Sequence, residues 1–189
     1  MTEHSAPPEH IVEAVLAVWG QTGREHLIPV TGHSMLPLLR EGDQVLVAHG
    51  ASEIRRGDVV VFRLADGTLA AHRVLRLRRD QAGLTLLTKG DNVAHLDPAV
   101  RGEQIIGRVL GIRREGRSMA LDTMLWRSVG RLMAVSTLAW LKLYQPGLNL
   151  KHSLLGPHPH PVTTLLRRGV RVLTSTFFKY VQLLFGRWR

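Results

Sequence analysis

Short, mostly apolar runs of residues fill the middle of the chain and are separated by turns rich in glycine and aspartate. Short apolar runs that are bounded by turn residues are typical of β-strands. The runs that predict strands are Gln44–Ala48, Asp58–Arg63, Leu69–Leu77, Leu84–Thr88 and Gln104–Ile112. An Asp-Gly pair between two of these runs, Asp66-Gly67, is a hairpin signal. The pattern predicts a mainly β fold, in a compact domain that ends near Ile112.

The apolar spacing becomes helical on both sides of this β region. It predicts a short helix over residues 9–19 that ends at Gly20. After the strands, one helical stripe over residues 121–144 contains Leu121, Leu125, Val129, Leu132, Val135 and Leu138. Pro146-Gly147 predicts an end to that helix, and residues 163–189 form a second amphipathic segment. The chain thus divides into an N-terminal tail with a short helix (1–27), a β domain (28–112) and a helical C-terminal extension (113–189).

Charge separates the extension from the β domain. The 189 residues have a net charge of +10. Residues 1–111 carry 12 Lys and Arg against 13 Asp and Glu, whereas residues 112–189 carry 13 against 2. Only the extension is therefore expected to seek an anionic partner. The absence of cysteine from this sequence excludes disulfides, thiolate metal sites and a cysteine nucleophile within it.

The extension admits two interpretations. Arginines alternate with leucine, phenylalanine and tryptophan at helical period, which is typical of a helix lying on an anionic membrane surface rather than of a nucleic-acid-binding segment. A helix that packs on the domain core fits residues 121–144 equally well. No run reaches the roughly 18 apolar residues of a spanning helix, and Ile11–Trp19, interrupted by Glu13, predicts neither a signal peptide nor an anchor. We expect peripheral association with the cytoplasmic membrane, on a face that the sequence leaves open.

Three segments next to predicted strands carry residues suited to nucleophilic catalysis. They are Gly-His-Ser-Met-Leu-Pro at 32–37, Ala-His-Arg-Val at 71–74 and Lys-Gly-Asp-Asn-Val-Ala-His-Leu-Asp at 89–97. A serine hydroxyl needs a base to remove its proton, and a histidine base needs a carboxylate to hold its tautomer. The segments supply these groups in the order serine, histidine, carboxylate.

Together these segments, which lie within residues 28–112, resemble the signal peptidase family in the Ser-His form of archaeal and endoplasmic-reticulum enzymes. The resemblance implies that Ser34 is the nucleophile, because Met35 and Pro37 complete the family's Ser-Met-x-Pro pattern. It places His72 where bacterial signal peptidases and LexA-like self-cleaving repressors have a lysine base. Lys89, the one lysine in residues 1–111, belongs instead to the Lys-Gly-Asp-Asn motif, which disfavours a Ser/Lys dyad.

Two aspartates compete for the third catalytic role. Both Asp91 and Asp97 fall on aspartates of the family's pattern. The resemblance favours Asp97 as the residue that orients His72 and makes Asp91 a residue of the turn.

The oxyanion site is less well marked in the sequence. Signal peptidases often have a serine where this chain has Gly32, so the Ser34 main-chain N–H is the expected oxyanion donor. His33 and Met35 are further candidates for substrate contacts, although we expect His33 to be solvated. The two histidines of the Gly-Pro-His-Pro-His-Pro run at 156–161 lack a third ligand and predict a linker, so no metal or other cofactor is expected.

These observations predict a serine endopeptidase that cleaves a signal or leader peptide after small residues. Its substrate would be an extended segment, of an exported preprotein or of a cytosolic peptide, paired to a strand edge. Two alternatives remain: a membrane-associated binding module without turnover, and a LexA-like protein that cleaves itself. Ala82-Gly83 is the one Ala-Gly bond available for self-cleavage. The sequence leaves the oligomeric state open.

Overall fold

A computed structural model of the protein describes residues 25–50 and 53–155, with side chains up to residue 142. The strands are β1 (Glu25–Pro29), β2 (Gln44–His49), β3 (Val59–Arg63), β4 (Leu69–Asp80), β5 (Gly83–Lys89), β6 (Val100–Arg101), β7 (Ile105–Arg114) and β8 (Arg117–Ala120). A 3₁₀ turn (Gly102–Gln104) precedes β7, and one helix, α1 (Met124–Leu155), follows β8. The helix predicted over residues 9–19 and the segment 163–189 lie outside the described residues.

The strands form one antiparallel sheet in the order β1-β2-β7-β3-β4-β5-β6, and β8 pairs with the far end of β7. Irregular register lies between Leu46 and Val47, between Val61 and Phe62, and between Val74 and Arg76. Such irregularities bend and twist strands, and they allow this sheet to curl. The prediction of a mainly β fold is confirmed.

All five predicted strands are present, within a few residues of their predicted ends. The hairpin at Asp66-Gly67 is present as well, with Gly67 at a φ of 83°. Three strands escaped the pattern: β6 and β8 have only two and four residues, and β1 begins with two polar residues and ends in a proline. As β8 continues the sheet, the β region runs past Ile112, where the sequence pattern placed its end.

The helix differs from its prediction at both ends. It begins at Met124 rather than Leu121, after Thr123, whose hydroxyl accepts a hydrogen bond from the Trp126 N–H at 3.3 Å. The prediction that Pro146-Gly147 ends the helix is wrong, since α1 continues to Leu155. A proline removes one main-chain donor, and the turns on either side can keep a long helix intact.

In the described part of the chain, no helix combines the length and apolar character that crossing a bilayer requires.

One face of α1 is part of the core. Trp126, which is 7% exposed, packs in a cluster with Met35 and Leu38 of the loop after β1 and with Val109 of β7. A second cluster, around Phe62, lies between β3, β4 and β5. The predicted apolar stripe therefore divides: Leu121 and Val129 pack against the first cluster, whereas Leu125, Leu132 and Val135 are exposed.

We expect Trp126→Ala to lower the free energy of unfolding by about 3–5 kcal/mol, because it empties a buried site between α1 and the sheet. Urea denaturation measures the loss. Leu132→Ala, on the exposed face of the same helix, should change stability by no more than about 0.5 kcal/mol. Equal stability of the two variants would contradict the packing of α1 on the domain.

Candidate active site

Ser34 lies in the loop between β1 and β2. Main-chain hydrogen bonds between Val30 and Asp43 (2.8 Å) and between Gly42 and Val30 (3.1 Å) close the base of this loop. The Asp43 carboxylate accepts two hydrogen bonds from the Arg114 guanidinium, both at 2.7 Å, which fasten the loop to the end of β7. The serine is thus carried on a loop whose base is closed by main-chain hydrogen bonds and tied to β7 by the contact of Asp43 with Arg114.

His72 comes from β4, where it pairs with Val60 of β3. Its ring meets the ring of Phe62 edge-on, with the centroids 5.8 Å apart, and the residue is only 9% exposed. Its Nε2 lies 3.0 Å from the Ser34 Oγ, which is hydrogen-bond distance. The structure therefore brings together a hydroxyl and an imidazole that are 38 residues apart in the chain.

Asp97 completes a line of three groups. Its Oδ2 lies 2.7 Å from the His72 Nδ1 and accepts a second hydrogen bond, also 2.7 Å long, from the Thr88 hydroxyl. The Asp97 N–H donates to the Thr88 carbonyl at 3.0 Å, which anchors the main chain. Burial alone would raise the pKa of Asp97, but the hydrogen bonds from His72 and Thr88 outweigh it and hold the pKa below its ordinary value.

With Asp97 ionised, a neutral imidazole that donates from Nδ1 to the carboxylate leaves Nε2 free to accept the Ser34 hydroxyl proton. The Lys89 ammonium, by contrast, donates to the Gly90 carbonyl at 3.0 Å. Burial lowers the pKa of Lys89, against the opposing effect of Asp91 and Asp97.

Asp91 has a different partner. Its two carboxylate oxygens accept hydrogen bonds from the Arg73 Nε (2.8 Å) and Nη2 (2.6 Å). The third Arg73 contact is a 2.8 Å hydrogen bond from Nη1 to the Gly57 carbonyl. Both side chains of the pair are buried, at 5% and 8% exposure. The two aspartates of the motif therefore bind two neighbouring residues of β4.

The turn at 90–92 also holds the serine loop. The Asn92 N–H donates to the Ser34 carbonyl at 2.7 Å, and its side-chain amide donates to the His33 carbonyl at 3.1 Å. Gly90 fits here because a Cβ would lie 2.7 Å from the Ser34 carbonyl oxygen and 3.1 Å from the His72 Nε2. Any larger residue would push the turn away from the serine.

The other three site candidates occupy different environments. Gly32 is exposed beside the cleft, and a Cβ there would meet nothing within 4 Å. His33 is exposed, with its Nε2 3.4 Å from the Glu41 carboxylate. Met35 is buried, and its Sδ lies 3.4 Å from the Asp91 N–H, so it supports the turn as well as lining the cleft.

A cleft of about 280 Å³ opens beside Ser34 and His72. Its walls are mostly apolar and come from the end of β1, the serine loop and the start of β4; they include Ile28, Val30, Leu39, Val61, Leu69 and Ala71. Such a cleft can take an extended, largely apolar chain with its polar main chain toward the serine. Within the described residues, no group of three or more histidine or acidic side chains is arranged to hold a metal ion.

A sequence model of the Peptidase S24-like family matches residues 9–110. The chain belongs to the Peptidase S24-like family. Membership implies a serine peptidase, in agreement with a serine at hydrogen-bond distance from a histidine. This family level covers both signal-peptidase-type and LexA-like proteins. A search among curated proteins found no match.

Three residues that support the site were missed in the sequence. Arg73 follows the histidine directly, but Arg76, Arg78 and Arg79 lie on the same strand, so the sequence did not single it out as the buried one. Asn92 belongs to the Lys-Gly-Asp-Asn motif but carried no assigned role. Thr88 gave no signal, because its bond to Asp97 depends on how the chain returns after the turn.

Asp97→Asn and Asp91→Asn should fail in different ways. An amide at 97 can present the wrong group to the His72 Nδ1, so we expect a roughly 10⁴-fold fall in kcat with a nearly normal melting temperature. An amide at 91 leaves the Arg73 charge buried without its partner, and breaking such a pair costs about 3–5 kcal/mol of stability. Peptide-cleavage kinetics and thermal melts of both variants, with wild type as control, measure this.

The reverse pattern would transfer the orienting role to Asp91. That pattern is a stable, inactive protein with asparagine at 91 and an unstable but active protein with asparagine at 97.

Proposed function

We propose that this protein is a serine endopeptidase of the signal peptidase type, with Ser34 as nucleophile, His72 as general base and Asp97 as the residue that orients the base. The supporting observation is the continuous line from the Ser34 Oγ through His72 to Asp97, with contacts of 3.0 and 2.7 Å. A hydroxyl, an imidazole and a carboxylate in this order can perform acyl transfer.

In the first step, the Ser34 Oγ attacks the scissile carbonyl while the His72 Nε2 takes the hydroxyl proton. Asp97 stabilises the imidazolium, and the Ser34 main-chain N–H is the donor we assign to the developing oxyanion. His72 then gives its proton to the leaving amine as the C–N bond breaks. Water, activated by the same imidazole, hydrolyses the acyl-enzyme and frees Ser34.

Two strand edges suit an extended substrate. Among the described strands, β1 pairs only with β2, and β5 pairs with β4 only from Arg73 onward. The outer edge of β1 and the first residues of β4 both line the cleft, so their main-chain groups are available to a peptide between them. The family resemblance adds a preference for small residues such as alanine before the cut, in a signal or leader peptide.

The position of the Ala82-Gly83 bond argues against self-cleavage there. It lies at the tip of the β4–β5 hairpin, where the Asp80 carboxylate accepts a hydrogen bond from the Ala82 N–H. Eight residues of extended strand separate Asp80 from His72, a distance of about 25 Å. A binding module without turnover would not need the alignment of Ser34 with His72, which favours the enzyme.

We also propose that the C-terminal extension holds the enzyme on an anionic membrane as a peripheral protein. Met124, Leu125, Leu132 and Val135 are 88%, 39%, 58% and 45% exposed. Residues 112–189, which include exposed Arg131 and Lys142, carry a net charge of +11. Each such cation contributes about 1 kcal/mol near anionic lipid, and the exposed apolar side chains can insert at the interface.

Ser34→Ala should abolish peptide cleavage, with a loss of roughly 10⁴–10⁶ in kcat and an unchanged fold.

For the wild type, kcat/KM should fall as pH drops from about 7 to 5.5, the range in which imidazoles take up a proton. Since Asp97 has a lowered pKa, it stays ionised through this range, and the acid limb reports on the base. A peptide library with small residues at varied positions supplies the substrate.

The control variants are His72→Gln and His33→Gln. Only the first should remove activity, because the His33 ring lies against Glu41 at the surface. Retained activity with an unchanged acid limb in His72→Gln would refute the proposed base.

Replacing Leu125, Leu132 and Val135 together by serine should reduce co-sedimentation with vesicles of anionic phospholipid. These side chains are exposed, so the fold should survive, which a melting curve checks. High salt should weaken wild-type binding, and neutral phosphatidylcholine vesicles should bind less at any salt concentration. A protein shortened after residue 155 lacks the cations of residues 156–189, and its co-sedimentation measures how much those charges contribute to membrane binding. Equal sedimentation of all forms, or of none, would contradict membrane binding.

A further inference from the structure

Helix α1 meets the support of the active site at the main-chain contact of Gly130 with Gly57. A Cβ on Gly130 would lie 2.5 Å from the Gly57 carbonyl oxygen, and a Cβ on Gly57 would lie 2.4 Å from the Gly130 carbonyl carbon. Gly57 has a φ of 95°, which glycine alone adopts readily. Two glycines thus allow the helix and the turn before β3 to meet without side chains between them.

The Gly57 carbonyl is also hydrogen-bonded to the Arg73–Asp91 ion pair that supports the active site. It accepts the 2.8 Å hydrogen bond from the Arg73 Nη1, and the same guanidinium holds Asp91. A Cβ on Gly130 would come within 3.1 Å of this Nη1. Gly130 of the helix therefore lies against both the acceptor of this buried hydrogen bond, the Gly57 carbonyl, and its donor, the Arg73 Nη1.

From Asp91 the contacts continue to the serine. The turn that Asp91 anchors donates the Asn92 N–H to the Ser34 carbonyl, and Met35, next to the serine, receives the Asp91 N–H on its Sδ. The junction between α1 and the sheet has only about 20 Å³ of free space, room for about one water molecule. An added methyl group at Gly130 cannot be absorbed there without moving Gly57 or Arg73.

We infer that Gly130 is a positioning residue: by seating α1 on Gly57, it sets the place of the Arg73–Asp91 pair and, through the turn at 90–92, the alignment of Ser34 with His72. The C-terminal helix thereby takes part in building the active site. This inference rests on the proposed function for its kinetic consequence, but the structural coupling is measurable without turnover.

Gly130→Ala in the full-length protein is the test. Alanine favours a helix over glycine, so local helix stability should rise. The displaced Gly57 and Arg73 should nevertheless lower kcat by roughly tenfold to a hundredfold, because small misplacements of reacting groups are costly. KM for the peptide should stay within about twofold, since the cleft walls do not contact Gly130. Ser128→Ala, an exposed position two residues earlier, is the control and should leave kcat unchanged.

A double-mutant cycle with Asp91→Asn separates positioning from general damage. If Gly130 acts through the ion pair, Asp91→Asn should lower kcat as well as stability, and adding Gly130→Ala to it should reduce kcat little further, so the two effects on kcat should not add. Additive losses of kcat, or a loss in Gly130→Ala that follows a lowered melting temperature, would overturn the inference.

Nuclear magnetic resonance gives a readout independent of catalysis. In Gly130→Ala, the Arg73 Nε–H signal and the amide signals of Asn92 and Met35 should shift, and in Ser128→Ala they should not. Unchanged signals in Gly130→Ala would refute the coupling. Failure of the wild type to cleave any peptide would refute the proposed function, while the shifts would still decide the coupling.

Discussion

The buried ion pair between Arg73 and Asp91 is the interaction on which the rest of the site depends. The cost of removing two charges from water is offset only if both remain paired and hydrogen-bonded. Here the guanidinium uses three of its donors, two on the carboxylate and one on the Gly57 carbonyl. The turn that carries Asp91 therefore has one favourable position, against β4. That position places the Asn92 N–H on the Ser34 carbonyl.

The partners of the two motif aspartates give them different chemistry. Asp91 faces a guanidinium, a group that is always charged in proteins, so this pair is suited to holding structure. Asp97 faces an imidazole, which can gain and lose a proton near neutral pH. Consecutive residues of one strand, His72 and Arg73, point to opposite faces of the sheet and separate the two functions. The strand thus places the proposed general base on one side and the buried ion pair on the other.

Helix α1 joins the domain with one face and leaves another uncovered. Trp126 and Gly130 meet the sheet, while Leu125 and Leu132 are exposed on the opposite side. Under the proposed membrane association, α1 would link the membrane contact of its exposed face to Arg73, against which its other face packs. This link consists of main-chain contacts and a buried ion pair, which are closely packed and cannot shift without moving their neighbours.

The sequence by itself determined much of this protein. Short apolar runs between glycine and aspartate turns predicted five strands and the mainly β fold, because run length and turn residues are local properties of the chain. The motifs around Ser34, His72 and the Lys-Gly-Asp-Asn turn indicated a peptidase, and the family match agrees at that level. Strands too short to form such a run, such as β8, gave no signal.

Only the tertiary structure decided which groups meet. The family resemblance favoured Asp97 over Asp91 as the partner of His72, but the contacts themselves come from the register of β4 against β5 and from the return of the chain to Thr88. The helical stripe of α1 could not show which apolar residues would be covered. Helical periodicity shows which residues share one face of a helix, but not what packs against that face. Likewise, the contact between Gly57 and Gly130 joins residues 73 positions apart. Such contacts depend on long-range packing, which no local pattern encodes.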